Sequence, residues 1–61
     1  MQYSLKELRA RKNETQKETA SALGVSVQTY NKWEKDISTV GVHKVQAIAN
    51  HFGVSLSEIK I

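Results

Sequence analysis

Between Ser26 and Lys35 the chain reads SVQTYNKWEK. On a helix, Tyr30 and Trp33 stand one turn apart on one face, and Gln28, Thr29, Asn31, Lys32 and Lys35 lie across from them. These are two carboxamides, a hydroxyl and two ammonium groups. A carboxamide donates and accepts together and can pair bidentately with an adenine edge, and a lysine suits guanine. Val27 is suited to contact with a thymine methyl. No carboxylate interrupts this face, whereas an ordinary polar surface would tolerate glutamate anywhere on it. Trp33 reads as a core side chain rather than a base-stacking one, because a small core depends on large aromatics.

No rival chemistry emerges elsewhere. His43 and His51 are eight apart, lie off the apolar stripe and have no acidic residue four positions on. Both read as surface residues. The six carboxylates are scattered and mostly occupy cap positions. No glycine-rich phosphate loop is present, and without cysteine there is neither a disulfide nor a thiolate metal site. The expectation is a non-enzyme with no cofactor, no metal and no evident small-molecule ligand.

The 61 residues are read as one domain, 1–61. A chain this short buries only about 60% of the surface it exposes when unfolded, so good capping matters. No apolar run approaches a membrane span and no signal-peptide pattern opens the chain, so a cytoplasmic protein is expected. The net charge is +3, and residues 1–35 carry all of it, with seven Lys and Arg against four Glu. That favours a polyanionic partner for this half, against a merely solvated basic surface.

The elements that must position these side chains follow from caps and periodicity. Ser4 with Glu7 opens a first helix to about Lys12, with Tyr3 and Leu8 as its hydrophobic staple. Thr15 with Glu18 opens a second, which stops at Gly24. Ser26 caps a third helix, Val27 to about Lys35, stapled by Val25 and Tyr30. One residue between stop and cap forces a sharp divergence, so 15–34 reads as a helix-turn-helix. Asp36–Gly41 is a loop, with Ile37 or Val40 packed on the core. A fourth helix runs from about Val42 to Phe52, its stripe being Val42, Val45, Ile48, Ala49 and Phe52. Ser55 with Glu58 caps a fifth, stapled by Val54 and Ile59.

The chain resembles the phage-repressor/Cro-like (XRE-type) regulators. Matching residues are Gln16, Ala20, Leu23-Gly24-Val25-Ser26, Tyr30 and Trp33-Glu34. Leu5, Leu8 and Arg9 precede them, and Val45, Ile48-Ala49, Phe52-Gly53-Val54-Ser55 and Glu58-Ile59 follow, so nearly the whole chain is covered. The resemblance implies an all-α, five-helix, lambda-repressor-like domain that binds double-stranded DNA. It also implies an ion pair between Arg9 and Glu34. Two departures stand out. The family's apolar staple on the second helix is replaced by Glu14 and Thr19, so that contact should be missing and the helix held less tightly. The proline usual near Val40 is absent.

A sequence-specific prokaryotic or phage transcriptional regulator, repressor-like, is therefore expected. Val27, Gln28, Thr29, Asn31 and Lys32 would meet base edges, and Gln16, Lys17, Arg11, Lys12 and Lys35 the phosphates. A homodimer on DNA is expected, paired through the C-terminal end, where Ile61 has no evident core partner. The competing expectation is a helix-turn-helix that has become a protein-interaction module, against which the acid-free face of the third helix argues.

Overall fold

Asn13, Gly24 and Gly53 take left-handed backbone angles, with φ of 58°, 73° and 69°, and each ends a helix. Glycine reaches this region without steric cost, and asparagine is the side chain that tolerates it best. The computed structural model describes residues 1–61. Its helices are α1 (Leu5–Lys12), α2 (Gln16–Leu23), α3 (Val27–Lys35) and α4 (Val42–Phe52). Single 3-10 turns follow α3 and α4, at Ile37–Thr39 and Leu56–Glu58.

The caps explain the starts. Ser4 and Thr15 each accept from the backbone N–H three residues on, while Glu7 and Glu18 accept from the cap's own N–H at 2.8 Å. Ser26 Oγ accepts from the Thr29 N–H at 3.1 Å. Helix α4 begins at Gly41 without a side-chain cap. Between α2 and α3 only Gly24, Val25 and Ser26 intervene, and this turn sets α3 across α2.

The core is Leu5, Leu8, Ala20, Leu23, Tyr30, Trp33, Ile48, Ala49 and Ile59. Tyr30 and Trp33 meet edge to face, with ring centroids 6.3 Å apart. Ile37 and Val40 both pack on this core, so the loop after α3 is anchored at two points.

Three expectations are corrected. The fifth helix is only the single turn Leu56–Glu58. Glu58 accepts from the Ser55 N–H at 2.9 Å and so starts a turn, but Tyr3 N then donates to Glu58 O and Lys60 N to Tyr3 O, both at 2.7 Å. That parallel bridge between Tyr3 and Ile59 holds the last residues extended and buries Ile59. Val42 does not join the apolar stripe, since the first turn of α4 projects beyond the core and leaves it 85% exposed.

The third correction concerns α2. The contact between positions 14 and 19 is present in polar form. Thr19 is fully buried, and its hydroxyl donates to Glu14 Oε1 at 2.8 Å. His51 Nε2 meets the same oxygen at 2.7 Å, so His51 is a packed residue of α4 and not a surface one. Its ring also meets Phe52 edge to face at 5.0 Å. The carboxylate thereby ties the loop before α2 to both α2 and α4. Burial pushes the Glu14 carboxyl up, but the bonds from His51 and Thr19 outweigh it and hold its pKa below the ordinary value.

Candidate nucleic-acid interface

Buried Tyr30 and Trp33 fix the rotation of α3 about its axis. That rotation leaves Val27, Gln28, Thr29, Lys32 and Lys35 exposed. Asn31 is half-buried at the edge of the same face. Gln16, Val27, Gln28 and Asn31 line one shallow hollow, so the first residue of α2 and the first turns of α3 share a surface. Thr29 is partly committed to the helix start, its hydroxyl accepting from Ser26 Oγ at 3.0 Å. No acidic residue occupies the first turn of α3, so the partial positive charge of its N-terminus is left uncancelled.

Behind this face lies a polar network rooted in an ion pair. Arg9 Nε donates to Glu34 Oε2 at 2.7 Å, and Arg9 Nη1 donates to the Glu14 carbonyl at 2.9 Å. The side chains of Arg9 and Glu34 are 18% and 7% exposed, so the pair is largely shielded from water. Burial pushes the Glu34 carboxyl up, but the Arg9 and Gln16 bonds prevail and its pKa is lowered. The Glu34 bond is the main cause that raises the pKa of Arg9. Tyr30 lies against the same pair. Burial first, and the Glu34 carboxylate next, push its phenol up, and its hydroxyl has no well-formed hydrogen bond.

Gln16 and Asn31 extend the network outward. Gln16 Nε2 donates to Glu34 Oε1 at 3.0 Å, and Asn31 Nδ2 donates to Gln16 Oε1 at 3.2 Å. A carboxylate only accepts, so Glu34 dictates which end of the Gln16 amide turns inward and, through it, how Asn31 is oriented. Both amides are thus pre-oriented beside the exposed face of α3 instead of swinging freely.

The residues expected at phosphates separate into two groups. Gln16 and Lys35 border one recess with Asn31, and Lys17 is exposed one position after Gln16 on α2. Arg11 and Lys12 lie elsewhere. The Arg11 guanidinium sits 4.5 Å over the Tyr3 ring, and Lys12 Nζ donates to the His51 carbonyl at 2.6 Å. Both line a hollow with Tyr3, Leu8, Phe52, Gly53, Val54 and Glu58, where the chain's two ends meet.

Sequence reasoning missed two residues. His51 is 37 positions from Glu14, and no local pattern announces such a pairing. Lys6 stands one turn before Arg9, and that spacing is the signal that could have placed it on the network's side of α1. No group of His, Asp and Glu side chains is arranged to hold a metal ion, and no helix is long and apolar enough to cross a membrane.

A family model described as helix-turn-helix matches residues 5–59. No curated protein and no solved structure matches the chain significantly.

Proposed function

The chain belongs to the Cro/C1-type (XRE) helix-turn-helix family of DNA-binding transcription regulators, and on that premise we propose that it is a small, repressor-like prokaryotic or phage regulator acting in the cytoplasm. Helix α3 lies in the major groove of duplex DNA. Gln28 and Lys32 read base edges, with Thr29 beside them and Val27 against a thymine methyl. Gln16, Lys17 and Lys35 hold the backbone and set register without choosing sequence. Arg11 and Lys12 fall outside this set, because they line the hollow where the two chain ends meet and not the surface shared by α2 and α3. Two copies bind together, one on each half-site.

The observation that carries this reading is the exposed, carboxylate-free face of α3 beside the pre-oriented Gln16 amide. A mobility shift on random-sequence duplex across a salt series tests it. With Lys17 and Lys35 each neutralising one phosphate, log affinity should fall against log salt with a slope of about −1.8 for each copy bound. A flat salt response removes duplex DNA as the partner and returns the fold to protein interaction.

A further inference from the structure

Arg11 and Lys12 are exposed, and neither forms an ion pair. Both border the hollow between α1, the end of α4 and the turn at Leu56–Glu58. This hollow shares no lining residue with the two beside α3. Its volume is about 450 Å³, within the roughly 300–1,000 Å³ of ligand sites. Part of its wall is apolar. Leu8 is buried there, while Tyr3, Phe52 and Val54 pack on the core and stay half-buried, so aromatic and branched surface is left partly wet.

The rest of the lining is charge held in place. The Arg11 guanidinium lies 4.5 Å from the centroid of the Tyr3 ring. Stacking on an aromatic face fixes a guanidinium but spends none of its five N–H donors. Lys12 Nζ donates to the His51 carbonyl at 2.6 Å, which leaves two of its three donors. Glu58 is the only carboxylate in the lining. Its Oε1 is committed to the N–H and the hydroxyl of Ser55, at 2.9 and 3.1 Å. Two cations against one carboxylate leave the hollow net positive.

These features select the occupant. A nucleic-acid phosphate would use the cations but leave the apolar wall wet. A free small molecule needs a site that covers most of its surface, and this hollow is open on one side. A protein segment meets every condition, because its own chain closes the mouth. We propose that the hollow is a docking site for a partner protein, and that it takes a short acidic segment in which Asp or Glu adjoins Phe or Leu. The carboxylate pairs with the Arg11 fork, with Lys12 beside it, and the apolar side chain lies against Phe52 and Val54. The site is separate from the α3 face, so partner and duplex DNA occupy one molecule together.

A random heptapeptide library displayed on phage, selected on the full chain, tests this. Enriched sequences should place Asp or Glu beside Phe or Leu. Arg11→Gln combined with Lys12→Gln should weaken a synthetic enriched peptide about tenfold or more. Arg11→Lys keeps the charge without the fork and should recover only part of that loss when Lys12 is retained. The same peptide with Asn or Gln in place of its acids should lose wild-type binding to the same extent, a readout that no folding defect can imitate. Amide NMR shifts should gather at Tyr3, Gly53 and Val54 and spare Gln28 and Lys32. Enrichment without acidic residues, or undiminished binding by the double variant, overturns the proposal. Displacement of the peptide by duplex DNA also overturns it, since both would then compete for one surface. Self-association of the wild-type chain that the double variant abolishes would assign the hollow to a second copy, and likewise overturns it.

Discussion

At the scale of single residues, the division between reading and positioning gives the sharpest expectations. Gln28 is exposed in the first turn of α3 and has no partner within the chain that competes for its amide. Gln28→Ala should lower affinity for a specific site by roughly 1–3 kcal/mol and relax preference at one base pair. Lys17→Ala should weaken all duplexes alike and make the salt slope shallower by about one unit. Identical behaviour of the two variants across a panel of sites would refute the division. Arg9 makes a different kind of contribution. Its guanidinium serves Glu34 through two nitrogens and the Glu14 carbonyl through a third, and the pair is largely buried. Arg9→Met should cost about 3 kcal/mol, well beyond the ~0–1 kcal/mol of a surface pair, because Glu34 is left shielded and uncompensated. Arg9→Lys should rescue little, since one ammonium cannot match the fork. A urea melt of both variants checks this, and a loss under 1 kcal/mol would mean that the pair is in effect solvated. The residue types on the α3 face were legible in the sequence because helical spacing alone sorts them. The orientation of Gln16 and Asn31 was not, because it depends on a carboxylate whose other donor comes from α1, 25 residues away.

At the scale of elements, the caps and stops were legible because they are local chemistry: Ser4, Thr15 and Ser26 each accept the N–H they were expected to accept. Two elements were misread for one physical reason, a partner distant in sequence. The turn after Ser55 carries the signature of a helix start, yet Tyr3 draws the following residues into a β-bridge. Positions 14 and 19 carry no apolar staple, yet His51 arrives from α4 to complete a polar one. That replacement sets an expectation opposite to the one suggested by apolar burial. Glu14→Leu should destabilise the domain by about 1–3 kcal/mol, because it leaves the buried Thr19 hydroxyl and the His51 imidazole without their common acceptor. Replacing all three together, with Glu14→Leu, Thr19→Leu and His51→Leu, should recover much of the loss, since no polar group then lacks a partner. Chemical denaturation of the single and triple variants measures both. A neutral or stabilising Glu14→Leu would show that this carboxylate does not fasten α2 to α4.

At the scale of the whole molecule, acid and association are the two levers. Five of the six carboxyl groups sit below their ordinary pKa. Backbone bonds from Ser4 and Ser55 are the main cause at Glu7 and Glu58, and the Ser38 hydroxyl at Asp36. At Glu14 and Glu34 burial opposes ionisation, but their hydrogen bonds prevail. A depressed carboxyl stabilises the fold above its unfolded pKa and loses that contribution as pH falls through its folded value. The melting temperature should therefore decline as pH drops below about 4.5, and constancy from there to about pH 2.5 would mean these contacts do not hold in solution. Association is argued from the length of the reader. Helix α3 has nine residues, and one such helix spans few base pairs, so on the proposed DNA reading a second copy about 34 Å along the duplex is expected to complete the specificity. The recognition face must stay open to DNA, which places the contact between copies elsewhere. Leu56 is 47% exposed and Ile61 is 86% exposed, and the Tyr3–Ile59 bridge holds the chain between them in place. These two side chains offer a small apolar contact, too slight to hold a dimer free in dilute solution. We expect a monomer by sedimentation, and cooperative pairing only on a duplex with two half-sites. Removing Ile61 together with Leu56→Ser should abolish that cooperativity while half-site binding is kept. Cooperativity that survives in the double variant would move the contact away from the C-terminal end, and a one-to-one complex on a palindromic duplex would end the dimer model.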